Sequence, residues 1–264
     1  MIKRAKKIIK LYQKKSATML SSWKVLKITW GFRARLQKNE QKARAAQGVA
    51  YTPLLPRGGF YNNLISCRYF CLSCAKTLPK KPSPEESSIY VEKLVQQHSF
   101  QSTEEIHWKR TINSDCLEIF WNALQKDKAR YEIEILLDHV YLPETGAHGD
   151  FCENQIMQDQ YEEMRVIDWE CWNSKGSFVN DILRFFSFRA HKEHCRSQFD
   201  PFLLLEHDWP YAPLERYLTL RQASLLAAIN NVCVVSRFDR VAGRASSLEY
   251  FLPSFLDVEM GSTP

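Results

Sequence analysis

Eight cysteines and seven histidines are the side chains of this 264-residue sequence best suited to nucleophilic or metal chemistry. The densest group is Cys67-Arg-Tyr-Phe-Cys71-Leu-Ser-Cys74. Spaced i, i+4 and i+7, its three thiols share one face if the segment is helical. Thiols in a basic and apolar setting are S-acylation sites. Thiolates also bind zinc, but a closed structural site takes four ligands. No nearby histidine supplies the fourth, and His191-x-x-His194-Cys195 is the remote group with the right donor types. For covalent catalysis a thiol needs a base beside it. Cys152, Cys171 and Cys195 are the candidate nucleophiles, with His139, His148, His191, His194 and His207 as bases. Neither a Gly-x-Ser-x-Gly elbow, a phosphate loop nor a His-Glu-x-x-His helix is present to pair them. No catalytic residue is named on this basis, and no cofactor is indicated.

The three-then-two spacing of Cys67, Cys71 and Cys74 resembles the cluster-binding loop of radical S-adenosylmethionine enzymes. Ser73 stands where those enzymes carry an aromatic residue, and the next glycine is Gly146. The resemblance ends with those eight residues.

A second set of residues has chemistry through charge. Lys3, Lys6, Lys7, Lys10, Lys14, Lys15, Lys24, Lys27, Arg33 and Arg35 lie with Trp23 and Trp30 in a stretch whose first acid is Glu40. Ile9, Tyr12, Ser16, Met19, Trp23, Leu26 and Trp30 follow a 3-4-3-4 spacing that predicts one stripe along a helix. A helix with that stripe and a lysine face docks on an anionic bilayer. The same face fits the groove of a partner protein, and its charge alone suits nucleic acid. The acid-free first 39 residues also have the look of a mitochondrial transit peptide.

The elements that position these residues fall into two charge regimes. Residues 1–84 hold 19 basic residues and one acid; residues 85–264 hold the other 17 basic residues and 29 acids. The net charges are 19 − 1 = +18 and 17 − 29 = −12. Three prolines between Thr77 and Ser88 mark a linker where the sign reverses. The expected organisation is a basic arm with its cysteine segment (1–76), a linker (77–88) and an acidic, aromatic-rich domain (89–264).

Helices are expected from Ser88, from Ser114, over Glu153–Met164, after Ser177, and after the capping-box sequence Thr219-Leu-Arg-Gln222. Alternation over Tyr131–Leu137 predicts a strand. The fold class expected is therefore mainly α, with α+β as the alternative.

These observations favour a non-enzymatic interaction protein. Its arm would dock on an anionic surface, most simply a membrane face, while the acidic domain binds a protein. The alternatives are a cysteine-dependent hydrolase or transferase in 89–264 with a targeting arm, and a nucleic-acid-binding protein. Intramolecular docking of the +18 arm on the −12 domain is a further expectation. The expected location is intracellular, cytoplasmic or at a membrane periphery.

Overall fold

The computed structural model describes residues 16–20, 24–30, 62–66, 70–76, 80–98, 104–112, 114–123, 127–158, 161–194 and 212–239. They form two compact units. The first takes in residues 1–90 and 154–174, the second 91–153 and 175–264.

The first unit is built on an antiparallel sheet of four strands. These are β1 (Ser16–Leu20), β2 (Lys24–Trp30), β3 (Asn62–Ser66) and β4 (Phe70–Lys76), in the order β1-β2-β4-β3. β2 is an inner strand: Lys27 faces Thr18 across one ladder and Ser73 across the other. The expectation of a basic helical arm and a mainly α fold is thereby corrected to a mixed α/β fold. Helical periodicity loses here because Val25, Ile28, Thr29 and Trp30 are strand formers, and β4 pairs with β2 along its whole length. Thr29 is fully buried. Cys71 and Cys74 are positions of β4, so the helical thiol face does not exist. Cys67, Trp23, Arg33, Arg35 and the lysines from Lys3 to Lys15 lie outside the described residues.

Helix α1 (Pro84–His98) begins inside the segment read as a linker. Its signals are in Ser83-Pro84-Glu85-Glu86. Pro84 has no amide to leave unsatisfied in the first turn. Ser83 and Glu86 form a reciprocal capping box, with Glu86 N–H donating to Ser83 Oγ at 3.1 Å and Ser83 N–H to Glu86 Oε2 at 2.7 Å. The Glu153–Met164 segment, expected to be helical, is a 3-10 turn (Glu153–Gln155) followed by a hairpin. Its strands are β7 (Ile156–Gln158) and β8 (Met164–Val166). Gln158 N–H donates to Lys80 O at 2.8 Å, which ties the hairpin to the segment before α1.

The second unit is mainly helical. In chain order it holds β5 (Glu105–His107), α2 (Trp108–Thr111), α3 (Ser114–Ala123), α4 (Asp127–Leu137), β6 (Tyr141–Pro143), α5 (Phe178–His194) and α6 (Leu220–Asp239). β5 and β6 pair antiparallel. α4 replaces the strand expected over Tyr131–Leu137. Ile133 and Leu137 are fully buried at i and i+4, while Tyr131 and Ile135 are exposed. An Arg130–Glu134 pair at the same spacing supports the helix. The predicted capping box at α6 is present: Thr219 N–H donates to Gln222 Oε1 at 2.7 Å and Gln222 N–H to Thr219 Oγ1 at 3.2 Å. α6 buries Ala223, Leu225, Leu226, Ala227, Ala228 and Ile229, as its apolar composition requires. α5 packs on it and buries Ile182, Leu183, Phe185 and Phe186. No helix among the described residues is long and apolar enough to cross a membrane.

Candidate active site

In the second unit the loop Thr145–Phe151 is pinned to the start of α5. Thr145 and Gly146 donate their N–H groups to Gly176 O, at 3.2 and 3.1 Å. Thr145 Oγ1 accepts from Phe178 N–H at 2.9 Å, satisfying one of the free amides of the helix end. The decisive partner is Asp181, in the first turn of α5 and 1% exposed. Its Oδ2 accepts from His148 N–H at 2.6 Å and its Oδ1 from Gly149 N–H at 2.8 Å. A carboxylate gripping two consecutive amides fixes the path of a loop. Gly149 lies at φ 85°, where a Cβ is strained, so glycine is required between His148 and Asp150.

That geometry presents Asp150. Its backbone N–H donates to His148 Nδ1 at 3.3 Å, and its Oδ1 accepts from Arg184 Nη2 at 3.2 Å. Phe151 anchors the following residue against Phe185, with ring centroids 5.5 Å apart. Asp181, Arg184 and Phe185 stand at i, i+3 and i+4, so one face of α5 holds the loop from His148 to Phe151.

The first unit carries a second acid in an uncommon conformation. Ile167 N–H donates to Gln155 O at 2.8 Å, extending the β7–β8 ladder and placing Gln155 beside the residue that follows, Asp168. Asp168 sits at φ 65°, ψ 51°, a left-handed conformation that non-glycine residues rarely adopt. Such strain persists only where the surroundings enforce it, and functional sites are where it concentrates. The enforcing groups are next to it. Trp169 is buried and its Nε1–H donates to Val166 O at 2.9 Å. Trp172 N–H closes a 3-10 turn onto Trp169 O at 3.1 Å, and the two indoles meet edge to face at 5.5 Å.

His148-Gly149-Asp150 with Gln155 five residues on, then Asp168-Trp169-Glu170 eighteen residues after Asp150, resembles in order the motifs of protein kinases. There H-R-D-L-x-x-x-N supplies a catalytic Asp and an amide ligand, and D-F-G supplies a metal-binding Asp. Gly149 replaces the arginine of that pattern and Gln155 the asparagine. From the sequence alone His148 reads only as a base for a thiol, and Asp150 and Asp168 carry no assignment. The readable signal was the acid pair with its flanking residues.

The thiol–imidazole candidates do not form a site among the described residues. Cys152 and Cys171 are buried, 4% and 3% exposed. His139 is on the surface, 3.8 Å from Asp138. Cys195 and His207 lie outside the described residues, as do the side chains of His191 and His194.

The fold is shared with known phosphotransferases. A protein assigned as a fructosamine-3-kinase from Haemophilus somnus 129PT superposes with a TM-score of 0.56 at 14% identity, over 91% of this chain and 90% of its own. The aminoglycoside phosphotransferase APH(4)-Ia, in a ternary complex with AMP-PNP and hygromycin B, gives 0.54 at 14% identity, over 94% and 92%. Choline kinase LicA from Streptococcus pneumoniae gives 0.50 at 11% identity, over 92% and 90%. No family model and no curated protein matches the sequence. The similarity is one of fold, and it overturns the interaction-protein reading with its membrane-docking, lipidated helical arm. Lys24, Lys27, Trp30, Cys71 and Cys74, assigned to that arm, are positions in the sheet of a kinase-like fold.

Proposed function

We propose that this protein is a phosphotransferase that moves the γ-phosphoryl group of ATP to a hydroxyl of a small molecule. The observations that support this reading are the pinned Asp150 of the second unit and the left-handed Asp168 of the first, which follow one another along the sequence in kinase order, together with the kinase-like fold. The three neighbours are named for small-molecule acceptors, namely a fructosamine, an aminoglycoside and choline, which supports a small acceptor here.

Phosphoryl transfer asks a protein mainly for positioning and for electrostatic stabilisation. Asp150 is the base: it orients the acceptor hydroxyl and takes its proton. The acceptor oxygen bonds to the γ-phosphorus, the bond to the β-phosphate oxygen breaks, and ADP leaves. Asp168 and Gln155 are the residues that would hold a divalent cation. Their donors are a carboxylate and an amide oxygen, the hard oxygen ligands magnesium takes alongside phosphate oxygens. The cation, when bound, neutralises charge on the phosphates. Lys27, on inner strand β2 after Val25 and Leu26, is the candidate for the lysine that kinases carry in a V-A-I-K strand to pair with phosphates.

No glycine precedes Gly31, so nothing in residues 1–30 corresponds to a glycine-rich phosphate loop. The test is consumption of γ-labelled ATP with magnesium, across a panel of amino sugars, polyols and amino alcohols. Label appearing on an acceptor, lost in Asp150→Asn, supports the reading. Absence of any magnesium-dependent ATP turnover across the panel and with water contradicts it.

A further inference from the structure

The kinase pattern has no assigned role for Arg184, which sits one turn after Asp181 on α5. Its side chain is 7% exposed, so the cation is buried. Nη2 donates to Asp150 Oδ1 at 3.2 Å, and Nη1 donates to Asn231 Oδ1 on α6. Asn231, fully buried, in turn donates from Nδ2 to Ser187 Oγ, back on α5. The guanidinium carbon lies 5.4 Å from the Phe188 ring centre, so an aromatic face adds to its hold. Nε, by contrast, is buried with no hydrogen-bond partner.

That arrangement is a poor way to stabilise a fold. Burying a guanidinium is costly unless its donors are satisfied, and well-packed apolar residues often do as well or better. Here one donor is unsatisfied, and the carboxylate Arg184 takes is the one at the apex of the pinned loop. A guanidinium held from two helices fixes the point at which its Nη2 meets Oδ1 of that carboxylate, and so limits the torsions the side chain can take. The loop amides fix the backbone of His148 and Gly149, but not the side-chain torsions of Asp150.

We infer that Arg184, braced by Asn231, is the positioning residue of the base: it sets the orientation in which the Asp150 carboxylate meets the acceptor hydroxyl. The inference rests on Asp150 being the base. Preorganisation of this kind acts on turnover and leaves nucleotide binding alone, since Arg184 touches the base. Lysine in its place keeps the charge but has no fork to reach Asn231 and Asp150 together.

The test uses the full chain and the release of inorganic phosphate from MgATP, with water as acceptor. Arg184→Met lowers kcat by up to about 100-fold, the loss that a misplacement of about 1 Å produces, with KM for ATP unchanged within a factor of two. Arg184→Lys recovers part of the loss. In an Asp150→Asn background, Arg184→Met has no further effect on kcat. It also raises the melting temperature, because Asp150→Asn strands a buried cation that Arg184→Met removes. If Arg184→Met does not fold, Asn231→Ala, which leaves the ion pair in place, lowers kcat with KM constant. Unchanged kcat in the folded variant, with Asp150→Asn inactive, overturns the positioning role and leaves the base in place. Full activity of Asp150→Asn removes the base assignment itself.

Discussion

Asp181 is where a small change tests the architecture of the site most sharply. It accepts two consecutive backbone amides, at 2.6 and 2.8 Å, and is 1% exposed. In Asp181→Asn one oxygen remains an acceptor, and an NH2 group comes to face the other amide. A hydrogen bond to a charged group contributes about 1.5–3 kcal/mol, and a buried amide left unpaired costs about 1–3 kcal/mol. Losing one of the two bonds therefore costs roughly 2–3 kcal/mol. For a protein of this size, each kcal/mol is worth about 2–4 °C in Tm. Asp181→Asn is expected to melt roughly 4–12 °C lower, read by circular dichroism at 222 nm. Turnover falls further than stability does, because Asp150 follows the two amides directly, and a displacement of about 1 Å at a reacting group costs about 100-fold. Phosphate release from MgATP, measured well below the variant's Tm, gives that number. A Tm within 2 °C of the parent together with unaltered kcat would refute the idea that Asp181 holds the loop.

Two other perturbations have definite signs. Gly149→Ala forces a Cβ into φ 85° at the same loop; it is expected to cost roughly 1–2 kcal/mol and most of the turnover, and a parent-like melt and rate would count against a required glycine. Glu134 is the second: the Lys109 ammonium hydrogen-bonded to it at 3.0 Å holds its carboxyl below the ordinary carboxylate value, against a smaller opposing effect of burial. A depressed carboxylate stabilises above its unfolded value and loses that contribution as pH falls through its folded one. Lys109→Met is therefore less stable than the parent at pH 7, by under about 1 kcal/mol because both side chains are about one-third exposed. The gap closes as pH drops below about 4.5, where the unfolded carboxyl protonates. Urea melts of both proteins at pH 7 and pH 3.5 read it, and a gap that persists or widens at pH 3.5 would contradict the pair.

Much of the second unit could be read from local signals. The capping box at Thr219 and Gln222 is satisfied by side chains three residues apart, and α6 is apolar enough to be central wherever it packs. The sheet could not be read that way. Leu26 and Trp30 sit at helical spacing, and what overrides it is pairing of β2 with β4, more than forty residues away. Strand preference of Val25, Ile28 and Thr29 was present but is a weak signal without the partner strand. Tyr131–Leu137 failed in the opposite sense: alternation suggested a strand, while Ile133 and Leu137 bury together only on a helix. The acids of the site carry no assignment from the sequence, because separately each is an ordinary Asp in a polar stretch. What marks them is tertiary: Asp181 reaching across 32 residues to Gly149, and a left-handed backbone at Asp168 that non-glycine residues rarely adopt.

In the proposed phosphotransferase Asp150 is the base and Asp168 a cation ligand, and both must be needed for turnover. The most direct test is magnesium-dependent release of phosphate from γ-labelled ATP by the parent protein, Asp150→Asn and Asp168→Asn, all with verified melts. The account predicts turnover in the parent that chelation by EDTA abolishes, and at least a 100-fold loss in each folded variant. Turnover that survives both substitutions, or that ignores magnesium, would contradict it.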